Sequence, residues 1–235
     1  MCKLFFAWMA WMAWMALLLG GPTCLAADLT ATERRWLQGM APVIDFARQA
    51  GLALDIVVQP QPTPELAPLA LAFVDGRCKL VLSMRGNPQA QATLEHINPP
   101  LLEATLQLMA AHELGHCRRY LDGAFYALPV GFTAPELPAA LSPDLKVEYL
   151  AMQAVRREEG FGDLVGLAWV QQHHPQRYAA LYTWLLAERS NDRVPGSHHD
   201  TLVWLRLVQD GSVLAGSSIF ERPNALWAAG IAADE

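Results

Sequence analysis

The chain has 235 residues, 53% of them hydrophobic and 9% aromatic, which is long and apolar enough to bury one sizeable core and excludes wholesale disorder. Its net charge is −6, and no basic cluster is longer than two residues, which disfavours nucleic acid as a partner.

The N-terminus reads as a secretory signal peptide over residues 1–27. Lys3 supplies the positive start, an apolar run extends from Leu4 to Leu19, and Gly20, Gly21 and Pro22 break it before the small residues Ala26 and Ala27. An uncleaved anchor is the alternative, although that run is shorter than the ~20 residues a bilayer core asks of a helix. A lipoprotein at Cys24 is disfavoured by the preceding Gly21-Pro22-Thr23. Residues 28–235 are thus expected to form a single periplasmic or secreted domain without a stable membrane span. Cys78 and Cys117 are the cysteines that remain beyond the signal. In an oxidising compartment they suit one disulfide, and two separate buried thiols are the alternative.

Thr30 or Thr32 is placed to cap a first helix running to about Gln49, with Gly51 as its stop. Trp36, Leu37, Met40, Val43, Ile44 and Ala47 recur at helical spacing along it. Leu52–Val58 reads as a strand, followed by a connector containing Pro60, Pro62, Pro64 and Pro68. Leu69–Val74 and Arg77–Met84 read as a hairpin turned at Asp75-Gly76. The stretch from Arg85 to Ile97 fits more than one element. Asn98 with Pro99 and Pro100 opens a helix to about Leu121, ended by Asp122-Gly123. The segment from Gly123 to Leu141 is long for a structureless connection, a length typical of functional loops and lids. Further helices are expected from Ser142 to about Gln172, from Pro175 to about Arg189, and from Ser197 to Val208. From Asp210 onward no pattern is readable.

The chemistry centres on His112-Glu113-Leu114-Gly115-His116. Two histidines four apart on a helix share a face, so both imidazoles can reach one ion, and neutral imidazole is a good zinc ligand. Glu113 lies about 100° round the helix from His112 and borders the metal instead of binding it. There it can take a proton from water whose pKa zinc brings near 7, and later hand it to a leaving amine. Two helix histidines satisfied by neighbours would be the bland explanation. Burying them with a Glu among Leu106, Leu108, Met109, Ala110, Ala111 and Leu114 would be costly without a metal.

A catalytic zinc takes three protein ligands and keeps one position open. Glu159 is the leading third ligand. Asp163, four residues on and on the same face, is placed to accept the second ring N–H of a ligand histidine. Asp122 and Glu158 are the rivals. Asp122 has the spacing of a site that needs Gly three residues after the second histidine, where this chain has Arg119. Solvated helix charge is the alternative for all three. Gly160 and Gly162 weaken a helix interior, and are easier to explain if something packs closely against them. In Ser197-His198-His199-Asp200, Ser197 and Asp200 have the spacing of a capping box. That would put His198 and His199 in a first helical turn, where the dipole disfavours a cationic ring. A neutral His199 N–H could then steady an oxyanion; two exposed turn histidines, like His173-His174 before Pro175, are the alternative.

The order HELGH, then Glu159-x-x-x-Asp163, then Ser197-x-His199, resembles the gluzincin zinc metallopeptidases, closest to the HtpX and CAAX prenyl protease type but without its membrane spans. The match covers roughly residues 98–208. The resemblance implies Zn2+ held by His112, His116 and Glu159, catalytic Glu113, supporting Asp163, and His199 near the transition state. That group has Pro after the last histidine where this chain has Asp200, which keeps His198 open as the alternative. The implied fold is α+β and zincin-like: mostly helical, with a small N-terminal sheet packed on the HExxH helix. In such a fold the hairpin ending at Met84 could supply an edge strand for an extended peptide, and Cys78 and Cys117 could staple sheet to helix.

The function expected is that of an exported metalloendopeptidase acting on peptide or protein substrates. A cell-envelope protein keeping zinc for stability alone is the alternative. It would need a fourth ligand such as Asp122 or Cys117, and Cys117 sits about 140° round the helix from His112. The same activated water acting on a non-peptide amide is a third possibility.

Overall fold

The structure, a computed structural model, describes residues 28–60, 67–133, 137, 142–191 and 194–234. The signal-peptide reading, Pro62 and Pro64 of the connector, and much of the 134–141 stretch lie outside the described residues. Contacts divide the chain into Met1–Thr30 and Ala31–Glu235, and the second unit carries every element below.

Helix α1 (Ala31–Gln49) buries Trp36, Met40, Val43, Ile44 and Ala47 along one face, as their spacing predicts. Gly51, at φ 70°, turns the chain away. Strand β1 (Leu54–Pro60) starts two residues later than expected, because the Leu52 N–H donates back to Ala47 O at 2.9 Å and prolongs the helix end. Strands β2 (Leu69–Val74) and β3 (Arg77–Arg85) form the expected hairpin. Asp75 (φ 53°) and Gly76 (φ 72°) both take the left-handed conformation that a tight two-residue turn requires. The sheet order is β1-β3-β2. Strand β3 runs parallel to β1, with Val57 opposite Val81, and antiparallel to β2, with Leu71 opposite Leu80. The strand of the hairpin that ends at Met84 is therefore central, and β1 and β2 are the edges.

The undetermined stretch after the hairpin contains helix α2 (Pro88–His96), capped by the Asn87 side chain, which accepts the Gln89 N–H. Pro99–Leu101 form a 3-10 turn, and helix α3 (Leu102–Leu121) follows. It is buried almost all round, against the sheet and α1 on one side and helix α4 (Pro143–His173) on the other. Helices α3 and α4 come close because glycines line the contact: a Cβ on Gly115 would lie 3.3 Å from Gly162 Cα, and one on Gly166 only 2.9 Å from Leu108 O. Cys78 on β3 and Cys117 on α3 are joined by a disulfide with Cα atoms 5.6 Å apart. It ties the sheet to α3 one residue beyond His116.

Helix α5 (Tyr178–Ser190) returns along α4 after a 3-10 turn at Pro175–Arg177. The expected helix from Ser197 to Val208 is a correction: only Leu202–Arg206 is α-helical (α6). The Asp200 carboxylate turns back to accept the Gly196 N–H at 2.8 Å, and Asp200 N–H closes a turn on Ser197 O. No capping box forms there. The tail that showed no pattern holds helix α7 (Glu221–Asp234), which packs on α4 through buried Trp227. Over the described residues the fold is thus α+β, mostly helical with a small three-stranded sheet. Among the described residues, no helix is long and apolar enough to cross a membrane.

Candidate metal centre

Helix α3 carries His112 and His116 on the face that meets α4, one turn apart and both buried. Their Nε2 atoms lie 3.0 Å from each other. Glu159 on α4 completes the group, with Oε2 3.4 Å from His112 Nε2 and Oε1 3.5 Å from His116 Nε2. Among the described residues this is the one group of three His, Cys, Asp or Glu side chains able to share an ion.

Asp163, one turn along α4, fixes the inner histidine. Its Oδ1 lies 3.0 Å from His112 Nδ1; an ionised carboxylate only accepts, so this nitrogen carries a proton and Nε2 is the atom left to face the group. Asp163 is itself saturated: Arg189 donates through Nε at 2.9 Å and Nη2 at 2.7 Å, and Thr201 Oγ1 donates at 2.6 Å. Burial opposes ionisation of Asp163, but Arg189 and His112 hold its carboxyl well below the usual range. Gly162 makes room for the ring. A Cβ there would lie 2.7 Å from His112 Cε1. A Cβ on Gly160 would lie 2.4 Å from Trp204 Cε3, so both helix-weakening glycines face an aromatic or imidazole ring.

The arrangement favours positive charge. Burial lowers the His112 pKa, yet Glu159 and Asp163 outweigh it and hold the group up to about 10. Burial likewise opposes ionisation of Glu159, and His112 and His116 hold its carboxyl well below the usual range. Two imidazole lone pairs at 3.0 Å repel unless a proton or a cation stands between them. Donor separations of 3.0–3.5 Å bracket the roughly 3.3 Å edge of a tetrahedral ion with nitrogen and oxygen donors at ~2.0–2.1 Å. The three side chains therefore fit a metal ion.

Glu113 stands beside this group on the wall of a cleft of about 550 Å³ that also reaches the β2 edge at Pro68–Leu71. It makes no hydrogen bond or ion pair with a described residue. Burial raises its pKa, and His112 and His116 pull the other way. His199 lines the same cleft, with Nε2 3.9 Å from Glu159 Oε2 and 59% of its side chain exposed. It sits in a turn ahead of α6, not in the predicted helical first turn. Burial and Arg189 keep its pKa down. His198 lies against His199 with ring centroids 4.1 Å apart and planes inclined by 57°, and it does not line the cleft.

The rival ligands are otherwise engaged. Asp122, at the C-terminal end of α3, pairs with Arg118 at 2.8 Å. The Glu158 carboxylate accepts from Arg119 Nε at 3.0 Å and Nη2 at 2.9 Å, and Oε1 also accepts the Tyr126 N–H. Arg189 and Thr201 were not singled out by sequence reasoning. An Arg at a helix end and a Thr before a short helix carry no local signal of a shared carboxylate partner. The chain matches no family model, no curated protein and no solved structure.

Proposed function

We propose that this chain is an exported zinc metallopeptidase of the gluzincin type, with a zincin-like fold, that hydrolyses peptide bonds in its cleft. The observation that carries the reading is the convergence of His112, His116 and Glu159 to within 3.0–3.5 Å of one another, beside a carboxylate with no partner of its own among the described residues. The choice of zinc rests on the donor set, two imidazoles and a carboxylate with an open side. No fourth ligand joins the group among the described residues, and Cys117 is committed to a disulfide, which favours an open centre over a closed structural one. The signal-like N-terminus and that disulfide support an oxidising compartment outside the cytosol.

Bound zinc would supply Lewis acidity that polarises the scissile carbonyl and acidifies the attacking water. Glu113 takes the proton from that water as the oxygen adds to the carbonyl carbon. The same carboxyl then delivers the proton to the amide nitrogen as the C–N bond breaks. His199, kept neutral, points an N–H toward the developing oxyanion. Asp163 holds the His112 tautomer, with Arg189 and Thr201 holding Asp163.

The test is the variant Glu113→Gln, measured for metal content and for cleavage of an unbiased peptide library. Zinc at wild-type stoichiometry with cleavage lowered at least ~100-fold is expected. Unchanged cleavage defeats the mechanism, and metal-free wild-type protein after equilibration with zinc defeats the reading.

A further inference from the structure

We propose that Tyr120, Phe125 and Tyr126 form a specificity wall, against which an extended peptide lays an aromatic or large aliphatic side chain beside the bond to be cut. The inference rests on the peptidase reading and adds its substrate class.

The rings form a continuous series. Phe73 on β2 stacks on Tyr120 with centroids 4.8 Å apart, and Tyr120 stacks on Phe125 at 3.6 Å. Phe125 then contacts Tyr126 at 4.3 Å and meets the His116 ring edge-on at 6.1 Å. The wall starts against a metal-site histidine and ends at the cleft mouth, where Tyr126 is 49% exposed. Leu69, Leu71 and Met109 line the same cleft and add apolar surface beside the polar groups of the metal centre.

Tyr126 is not there by default. It holds φ 66°, a conformation that bulky residues avoid and keep only when their surroundings impose it. The surroundings here are a buried ion pair. Glu158 accepts the Tyr126 N–H at 2.9 Å, and Arg119 donates to Ala127 O at 2.9 Å while paired with Glu158. Arg119 comes three residues after His116, and Glu158 immediately precedes Glu159. The helices that carry the ligands therefore also fix the wall, and its distance from the reacting bond is set by the same packing. The Tyr126 hydroxyl bonds no described residue, so the ring presents its face and edge to whatever enters. Such rings gain from an aromatic or aliphatic guest through burial and offset or edge contact.

The experiment uses zinc-loaded Glu113→Gln protein and pentapeptides that differ at one position, scanned along the peptide with Phe, Leu, Ala or Glu. Calorimetry should give Phe and Leu about tenfold tighter binding than Ala or Glu at one position, equivalent to ~1.4 kcal/mol. On that background Phe125→Ala and Tyr126→Gly should each abolish the preference, the second without changing zinc affinity; Gly relieves the positive φ, so the second variant is not expected to misfold. Tyr126→Phe should keep the preference. Binding without preference at any position, a preference surviving both truncations, or no peptide binding overturns the wall. Cleavage of the same peptides by the unaltered zinc protein reports on the peptidase reading separately: selective binding without cleavage supports the wall and overturns the hydrolase.

Discussion

Gly162→Ala offers a sharp test of the metal centre, because helix propensity and site geometry pull in opposite directions there. In an ordinary helix interior the change would stabilise by up to about 1 kcal/mol. Here the new Cβ would stand 2.7 Å from His112 Cε1, 2.8 Å from Nδ1 and 2.9 Å from Nε2, across the face of the ring. Carbon contacts relax at about 3.5 Å or more, so the ring must recede by roughly 0.8 Å. It cannot do so freely, since Nδ1 is tied to Asp163 Oδ1 at 3.0 Å and Asp163 is gripped by Arg189 and Thr201. Coordination distances tolerate only about 0.2 Å. Displacing a ligand by several times that should cost at least the 10–100-fold in affinity typical of disturbed supporting contacts.

The fold should survive. Overpacking costs about 1–3 kcal/mol, partly offset by the propensity gain, so the metal-free variant should lose no more than about 2 kcal/mol. Competition titration against a chromophoric zinc chelator, beside thermal melts of the metal-free protein, separates the two effects. Gly160→Ala is the control: its Cβ would meet Trp204 at 2.4 Å, so it should lower stability and leave zinc affinity alone. Wild-type zinc affinity in Gly162→Ala would refute the placement of His112 as a ligand.

Asp163→Asn should lower zinc affinity about 10–100-fold. It frees Arg189, whose Nη2 already lies 3.5 Å from Glu159 Oε2, to compete for the ligand carboxylate, and Arg189→Gln in the same background should restore part of the loss. Replacing Cys78 and Cys117 by Ser opens a loop of 39 residues and should cost about 4 kcal/mol in the chain-entropy picture, read as a fall in the denaturation midpoint. An unchanged midpoint would show that the packing of β3 on α3 suffices without the bond. Burial raises the Tyr178 phenol well above its usual 10, and its hydroxyl donates to Val208 O at 2.6 Å. A raised pKa in the folded state gives stability that is full below pH ~10 and is lost as pH climbs from there toward the folded value. Tyr178→Phe should therefore flatten the alkaline limb of the stability–pH curve, at a loss of about 1 kcal/mol at neutral pH.

What sequence alone conveys here is whatever one element encodes by itself. The hairpin follows from Asp75-Gly76 between two apolar runs, and His112, Glu113 and His116 share a helix whose periodicity fixes their relative directions. Glu159 and Asp163 are readable as a pair for the same reason. Readings failed where a local pattern had two outlets. Ser197-x-x-Asp200 has the spacing of a cap, but the Asp200 carboxylate found the Gly196 N–H instead, and the helix shrank to Leu202–Arg206. Helix α7 gave no periodic signal because five of its fourteen residues are Ala and its main anchor is Trp227, so its buried side is chosen by the ring that fits against α4.

The distance between α3 and α4 lies between these cases, and it decides whether two histidines on one helix and a carboxylate on another can meet. No single segment encodes it, yet it leaves a trace, because close approach demands residues that local rules penalise. Gly160 and Gly162 stand inside a long helix, where Ala would serve better on its own account. Gly162 gives its side-chain space to His112, and Gly160 to Trp204 of the element that follows His199. A broken helix rule in the sequence thus marks where tertiary structure takes over. Here it falls one residue to either side of Phe161 and within three residues of both Glu159 and Asp163. The side chains that grip the candidate metal and its supporting aspartate are therefore spaced by the absence of two Cβ atoms, and filling those positions perturbs the centre and the core separately.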